Sequence, residues 1–125
     1  MALQEEYRDK HVSFTLSLSG DSRLSAVFTG KGSNPGTRRF IELVEKGIGI
    51  VGEGNLRVLM DMQQLGSVPI RSQMMMGKWL LSVKSRIGKV AVVGGGSLAR
   101  TLSKSAGMEQ VRFFEQRNEA VGWLG

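Results

Sequence analysis

The sequence predicts one α/β domain: a five-stranded mixed sheet that opens with an antiparallel hairpin and continues β-α-β-α-β-α, with helices covering the sheet. Three observations carry this. Val12 to Leu18, "VSFTLSL", alternates apolar and polar residues with period two, as a half-buried strand does. Later apolar runs, such as "KVAVV" from Lys89, are short and nearly continuous, as strands covered on both faces are. Between these runs lie segments whose apolar residues recur at helical spacing. Alternating strands and helices imply parallel pairing through right-handed crossovers. A chain of 125 residues is long enough for one domain with its own core.

Residues 1–11, "MALQEEYRDKH", are polar and mixed in charge, and are read as an extension ahead of a domain spanning 12–125. The Val12–Leu18 strand is followed by "SGDS", whose residues favour a turn, and by "RLSAVFTG", a second strand that completes the hairpin. In "KGSNPGT" the chain breaks. Phe40, Leu43, Val44, Gly47 and Ile48 then mark an amphipathic helix over 37–48, with Ser33, Asn34 or Thr37 available as its cap. Asn55 to Met62, "NLRVLMDM", is the next strand.

A second helix is predicted over 71–87. Met76, Trp79, Leu80, Val83 and Ile87 share its core stripe. Lys89–Val93 is a buried strand, 97–106 a third helix capped by Ser97, and Val111–Phe114 the fifth strand. A terminal helix over 117–124 docks through Ala120, Val121, Trp123 and Leu124.

This element order resembles that of the STAS superfamily (sulphate transporter and anti-sigma-factor antagonist), and within it the SpoIIAA-like branch. The resemblance spans roughly Val12 to Leu124 and is sharpest in three stretches. "LRVLMDMQQL" is similar to the family's strand ending in an aspartate and a short polar turn. "GKVAVVGGGSLARTL" is similar to its fourth strand and turn, and "VRFFEQRNEAVGWL" to its last strand and closing helix. It implies a mixed sheet with helices on its face and a non-enzymatic regulatory module that binds protein partners. For the SpoIIAA-like branch, whose fold is similar to the CRAL-TRIO type, it also implies a lipophilic ligand. The chain departs from the antagonist pattern at one place. Where those members carry an Asp-Ser-x-Gly element with a phosphorylatable serine, this sequence has Pro69 and Ile70. Ser67 and Ser72 lie to either side without the acidic neighbour or the following glycine, so the resemblance brings no phosphorylation switch to them.

The second helix carries the predicted functional face. On its wheel Met74 and Leu81 fall nearly opposite Met76, and Met75 falls beside Trp79. Three consecutive methionines cannot all face one core. Met74, Met75, Lys78, Trp79 and Leu81 are therefore read as a strip for a protein partner, a lipophilic ligand, an anionic membrane surface or a second copy of the chain in a homodimer.

A second candidate is the glycine turn. Gly94-x-Gly96-x-x-Ala99 fits the dinucleotide fingerprint between a strand and a helix, and Glu115 follows at the spacing of its acidic residue. Too few residues follow Glu115 to complete a nucleotide-binding sheet. The alternative reading is thus a nucleotide or an anion held by the free N–H groups of Gly95, Gly96 and Ser97, against a tight turn that needs glycine for its backbone.

Other chemistry is thinly represented. The chain has no cysteine, so thiol chemistry and cysteine metal sites are excluded. No metal site, catalytic set or cofactor is expected. Net charge is +6, which suits anionic partners, but the basic residues are dispersed and not interleaved with aromatics, against nucleic acid. Glu42 and Glu45 are read as a solvated helix face. Asp61 is read as an acceptor for backbone N–H groups in the turn after its strand. With neither a leader nor a span-length apolar run visible, a bacterial-type cytoplasmic domain is expected. His11 is the single histidine and has no partner of metal-ligand type. Replacing it with alanine is expected to change stability, measured by urea denaturation, by less than about 0.5 kcal/mol.

Overall fold

The computed structural model describes residues 3–96 and 109–125. The strands are β1 (Leu3–Arg8), β2 (Val12–Leu18), β3 (Arg23–Gly30), β4 (Arg57–Leu65), β5 (Lys89–Gly94) and β6 (Val111–Phe114). The helices are α1 (Asn34–Val51), α2 (Ile70–Val83) and α3 (Arg117–Leu124). The expected helix over 97–106, with Ser97, lies outside the described residues.

The six strands form one sheet in sequence order. β1, β2 and β3 pair antiparallel, and β3 to β6 pair parallel. The mixed sheet is as expected, but it has six strands, not five. The sixth is β1, in the stretch read as a polar extension. Only Leu3 of this strand is fully buried, so its polar sequence gave no alternation to read. It is held as an edge by pairing from Leu3↔Leu18 to Arg8↔Ser13.

The burial of the strands follows from what covers each face. In β2, Val12, Phe14, Leu16 and Leu18 point into the core, while Thr15 and Ser17 face solvent. In β4 and β5 both faces are covered. Val58, Met60, Val90 and Val92 join the large core with α1 and α2, whereas Leu59, Ala91 and Val93 pack with Ala120 and Leu124 of α3. The continuous apolar runs read from the sequence reflect this two-sided burial.

α1 begins three residues earlier and ends three later than expected. Ser33 is its N-cap, accepting the Gly36 N–H at 3.0 Å, and Pro35 fits the first turn because it has no N–H to leave unsatisfied. α2 ends at Val83, before the predicted 87, although Ile87 remains in the core. Its start is capped by no side chain. Ser72, in its first turn, is buried and donates its hydroxyl hydrogen bond to Asn34 Oδ1 at 2.5 Å, tying the two helix starts together.

Glu45 is the other correction. It does not lie in a solvated face but links α1 to α2, accepting from the Trp79 indole N–H at 3.0 Å and pairing with Arg86 at 2.6 Å. Arg86 thereby holds the Glu45 carboxyl below its ordinary pKa against the opposing effect of burial. Trp79 in turn meets Phe40 edge-on, at the end of a ring series running through Phe28 and Phe14 to Tyr7 on β1.

α3 is pinned at both ends. Arg117 in its first turn pairs with Asp61 at 2.8 Å. At the other end Arg57 donates to the Leu124 carbonyl at 3.2 Å and Lys89 to the Trp123 carbonyl at 2.9 Å, where cations complement a helix C-terminus. Asp61 accepts the Gln63 N–H at 3.1 Å, as expected, but from within β4 and with Arg117 as a further partner.

The turn between β1 and β2 is closed by Asp9. Its carboxylate accepts from the His11 and Val12 amides and from the Tyr7 and Ser33 hydroxyls. Partial burial pushes its pKa up, but the Ser33, Val12, His11 and Tyr7 hydrogen bonds outweigh this and hold it well below the usual carboxylate range. The unfolded chain therefore binds the proton more readily. The Asp9 contribution to stability is complete above an unfolded pKa of about 3.9 and is lost as pH falls below it. Asp9→Asn is expected to lower stability at neutral pH and to flatten the acid limb of a stability–pH curve measured by urea denaturation.

Candidate functional site

The parallel strands β3, β4 and β5 end at one edge of the sheet, where the segments leading into α1 and α2 and the glycine turn meet. Three features lie at this edge or begin from it.

The first is the outer face of α2. Its inward stripe of Met76, Leu80 and Val83 is buried. Met74 and Leu81 lie opposite, 57% and 45% exposed. Lys78 is exposed as well, whereas Met75 is half-buried and Trp79 turns inward to Phe40 and Glu45. The geometry thus brings Met74, Lys78 and Leu81 to one surface and draws Trp79 away from it.

Sequence reasoning missed Ile70, which is 69% exposed. It lies within about 40° of Met74 and Leu81 on the helical wheel and extends their strip to the start of α2. The spacing i, i+4, i+11 would have found it. The sequence pattern places the helix start at Arg71, one residue later, which leaves Ile70 off the wheel.

The second feature is an open groove of about 500 Å³ that begins where the strip ends. His11, Lys31, Asn34, Ser67, Val68 and Pro69 line it. Ser67 is exposed in its wall, and its carbonyl accepts the Gly32 N–H at 2.9 Å.

The third is the glycine turn. Gly94, Gly95 and Gly96 all have positive φ, at 79°, 98° and 46°. A Cβ on Gly94 would stand 3.3 Å from the Gln63 backbone. Backbone conformation therefore accounts for glycine at all three positions. Gly95 and Gly96 line a cleft of about 80 Å³ with Met62, Leu65, Gly66 and Val68, and among the described residues no charged side chain stands in its wall.

Inside the molecule, between the sheet and the two long helices, a cavity of about 30 Å³ is bounded by Phe14, Phe40, Met60, Met76 and others. It has room for a water or two, far below the roughly 300–1,000 Å³ of ligand pockets. Among the described residues no group of three His, Cys, Asp or Glu side chains stands close enough to hold a metal ion, and no helix is long and apolar enough to cross a membrane.

Among the described residues the mixed sheet has a leading antiparallel edge, two long helices on one face and a short one on the other, and the chain falls in the STAS superfamily. More narrowly, the chain belongs to the SpoIIAA-like family, whose model matches residues 23–125. The resemblance read from the sequence is thereby borne out. Solved structures agree on the fold. One is an uncharacterized protein of the DUF3478 family with a SpoIIAA-like fold from Shewanella loihica PV-4. It is 19% identical, with a TM-score of 0.67 over 95% of this chain and 98% of that one. Another is an anti-sigma factor antagonist from Mycobacterium paratuberculosis. It is 6% identical, with a TM-score of 0.58 over 99% of this chain and 94% of that one. None of the curated proteins matches the chain.

The turn geometry is open to direct measurement. Gly94→Ala is expected to cost about 1–2 kcal/mol in thermal or urea unfolding, because it combines positive φ with backbone crowding. Gly96→Ala has open space around its Cβ and is expected to cost less.

Proposed function

We propose that this chain is a non-enzymatic regulatory module that binds a protein partner through the outer face of α2. The observation that carries this reading is the exposed apolar strip of Ile70, Met74 and Leu81 on a helix whose core stripe is already docked. Scattered exposed apolar residues need no explanation, but three on one helix face beside a groove make a surface of the kind that associates. Burying Met74 and Leu81 against a partner would contribute about 1–3 kcal/mol each.

The wider family setting supports the same class. The neighbour from Mycobacterium paratuberculosis is by its name an antagonist of an anti-sigma factor, hence a protein that acts on a protein. A lipophilic ligand finds less support, since the interior cavity of about 30 Å³ is too small for an acyl chain. The nucleotide alternative finds less as well, since among the described residues the cleft at Gly95 and Gly96 has no cation in its wall, and positive φ alone accounts for the glycines. Nor does this docking depend on phosphate at Ser72, whose buried hydroxyl is committed to Asn34. The position that the resemblance gives to a switch serine is filled by the exposed Ile70.

A photoreactive amino acid placed at Met74 of the full chain, in its own host, is expected to give one discrete protein adduct. The same group at exposed Ser17, on the far face of the sheet, is expected to give none. With the photoreactive group at Ile70 instead, the same adduct is expected, and the double change Met74→Gln with Leu81→Gln is expected to abolish it while leaving the melting temperature nearly unchanged. Unfolding of the double variant would make these residues part of the core, and adducts of equal yield from Ser17 would remove α2 as the docking face.

A further inference from the structure

We infer that the partner segment received by α2 is acidic: an amphipathic peptide whose apolar side chains meet Ile70, Met74 and Leu81 and whose carboxylates meet Arg71, Lys78 and Lys31. This rests on the docking reading above and specifies its partner. The charge distribution carries it. α2 contains two cations, Arg71 and Lys78, and no acidic residue. Both are exposed, and on the helical wheel both fall about 80–100° to the same side of Ile70, so they form one cationic border along the apolar strip.

Beyond the start of α2 the border continues to Lys31, which is exposed in the adjoining groove with His11. Among the described residues, Arg71, Lys78 and Lys31 have no ion-pair partner. Arg86, by contrast, is neutralised by Glu45 and Glu53. The acidic side chains of this region are thus spent on the α1–α2 junction, and the cations beside the strip are left for another molecule.

The same charges argue against the other occupants. A second copy of the chain seated strip against strip would bring Arg71 and Lys78 against their own kind, on molecules that each carry +6. A flat bilayer would meet the convex helix but not the groove of about 500 Å³ beyond Pro69, where Lys31 stands. A peptide can follow both, with apolar residues one helical turn apart on α2 and an acidic end turning into the groove.

The test pans a displayed library of random peptides, about four helical turns long, on the intact chain. Enriched peptides are expected to carry net negative charge, with apolar residues at i, i+4 spacing. The best of them is expected to lose about tenfold in affinity with Arg71→Glu and again with Lys78→Glu, and to weaken steeply with salt. A partner peptide with lysine in place of its glutamates is expected to bind the Arg71→Glu/Lys78→Glu chain better than the wild type. This gain guards against reading a folding defect as lost recognition.

Neutral or basic peptides that still require Ile70 and Met74 would overturn the acidic partner and leave the docking face standing. Peptides indifferent to Ile70→Ser and Met74→Gln would overturn both. Retention of the chain by vesicles of phosphatidylglycerol and phosphatidylcholine in equal parts, abolished by Ile70→Ser, would make the occupant a membrane and likewise end the proposal.

Discussion

The two-sided burial of β4 and β5 is the constraint on which the other parts depend. Leu59, Ala91 and Val93 face α3 while Val58, Met60, Val90 and Val92 face α1 and α2. A strand with both faces covered sits inside the sheet with a helix on either side, which places the parallel connections and fixes register, because a slip of one residue would exchange the two faces. The successive crossovers β3-α1-β4 and β4-α2-β5 advance in one direction along the sheet. With right-handed connections both helices therefore lie on the same face, side by side. α3 is left to close the opposite face.

Placing α1 and α2 side by side creates the junction that seats α2 and decides which of its residues stay outside. Glu45 receives Trp79 and Arg86 across it, Ser72 and Asn34 close its upper end, and Phe40 fills it from below. Trp79, a large apolar residue that would otherwise add to the surface strip, is drawn inward by its ring contact and its N–H bond. What remains outside is narrow: Ile70, Met74 and Leu81, bordered by cations. The helix is thus seated on the core on one side and exposes apolar side chains on the other, and the proposed association through that face would need little further ordering.

The edge strand shows how a polar sequence becomes structure through context. β1 contributes Leu3 to the core and Tyr7 to the ring series, and the rest of its side chains are polar or charged. Its position is held by pairing with β2 and by Asp9, which gathers four donors, one of them the N-cap of α1. Charged side chains along such an edge also discourage strand addition by another molecule.

The sequence by itself determined the fold class, the positions of five strands, the existence of the two long helices and the inward stripe of α2, because each of these is written as a local period of apolar residues. Met74 and Leu81 were legible as outward for the same reason. Only the tertiary structure decided what depends on partners distant in the chain. β1 is a strand because β2 offers it hydrogen bonds. Glu45 and Ser72 are junction residues because α1 and α2 lie side by side. Trp79, which the helical wheel assigns both to the core stripe and to the outer strip, turns inward because Phe40 and Glu45 receive it, and Ile70 joins the exposed apolar strip because α2 begins one residue sooner than its pattern announced. Periodicity records which face of an element is apolar, but it does not record which other element that face will meet.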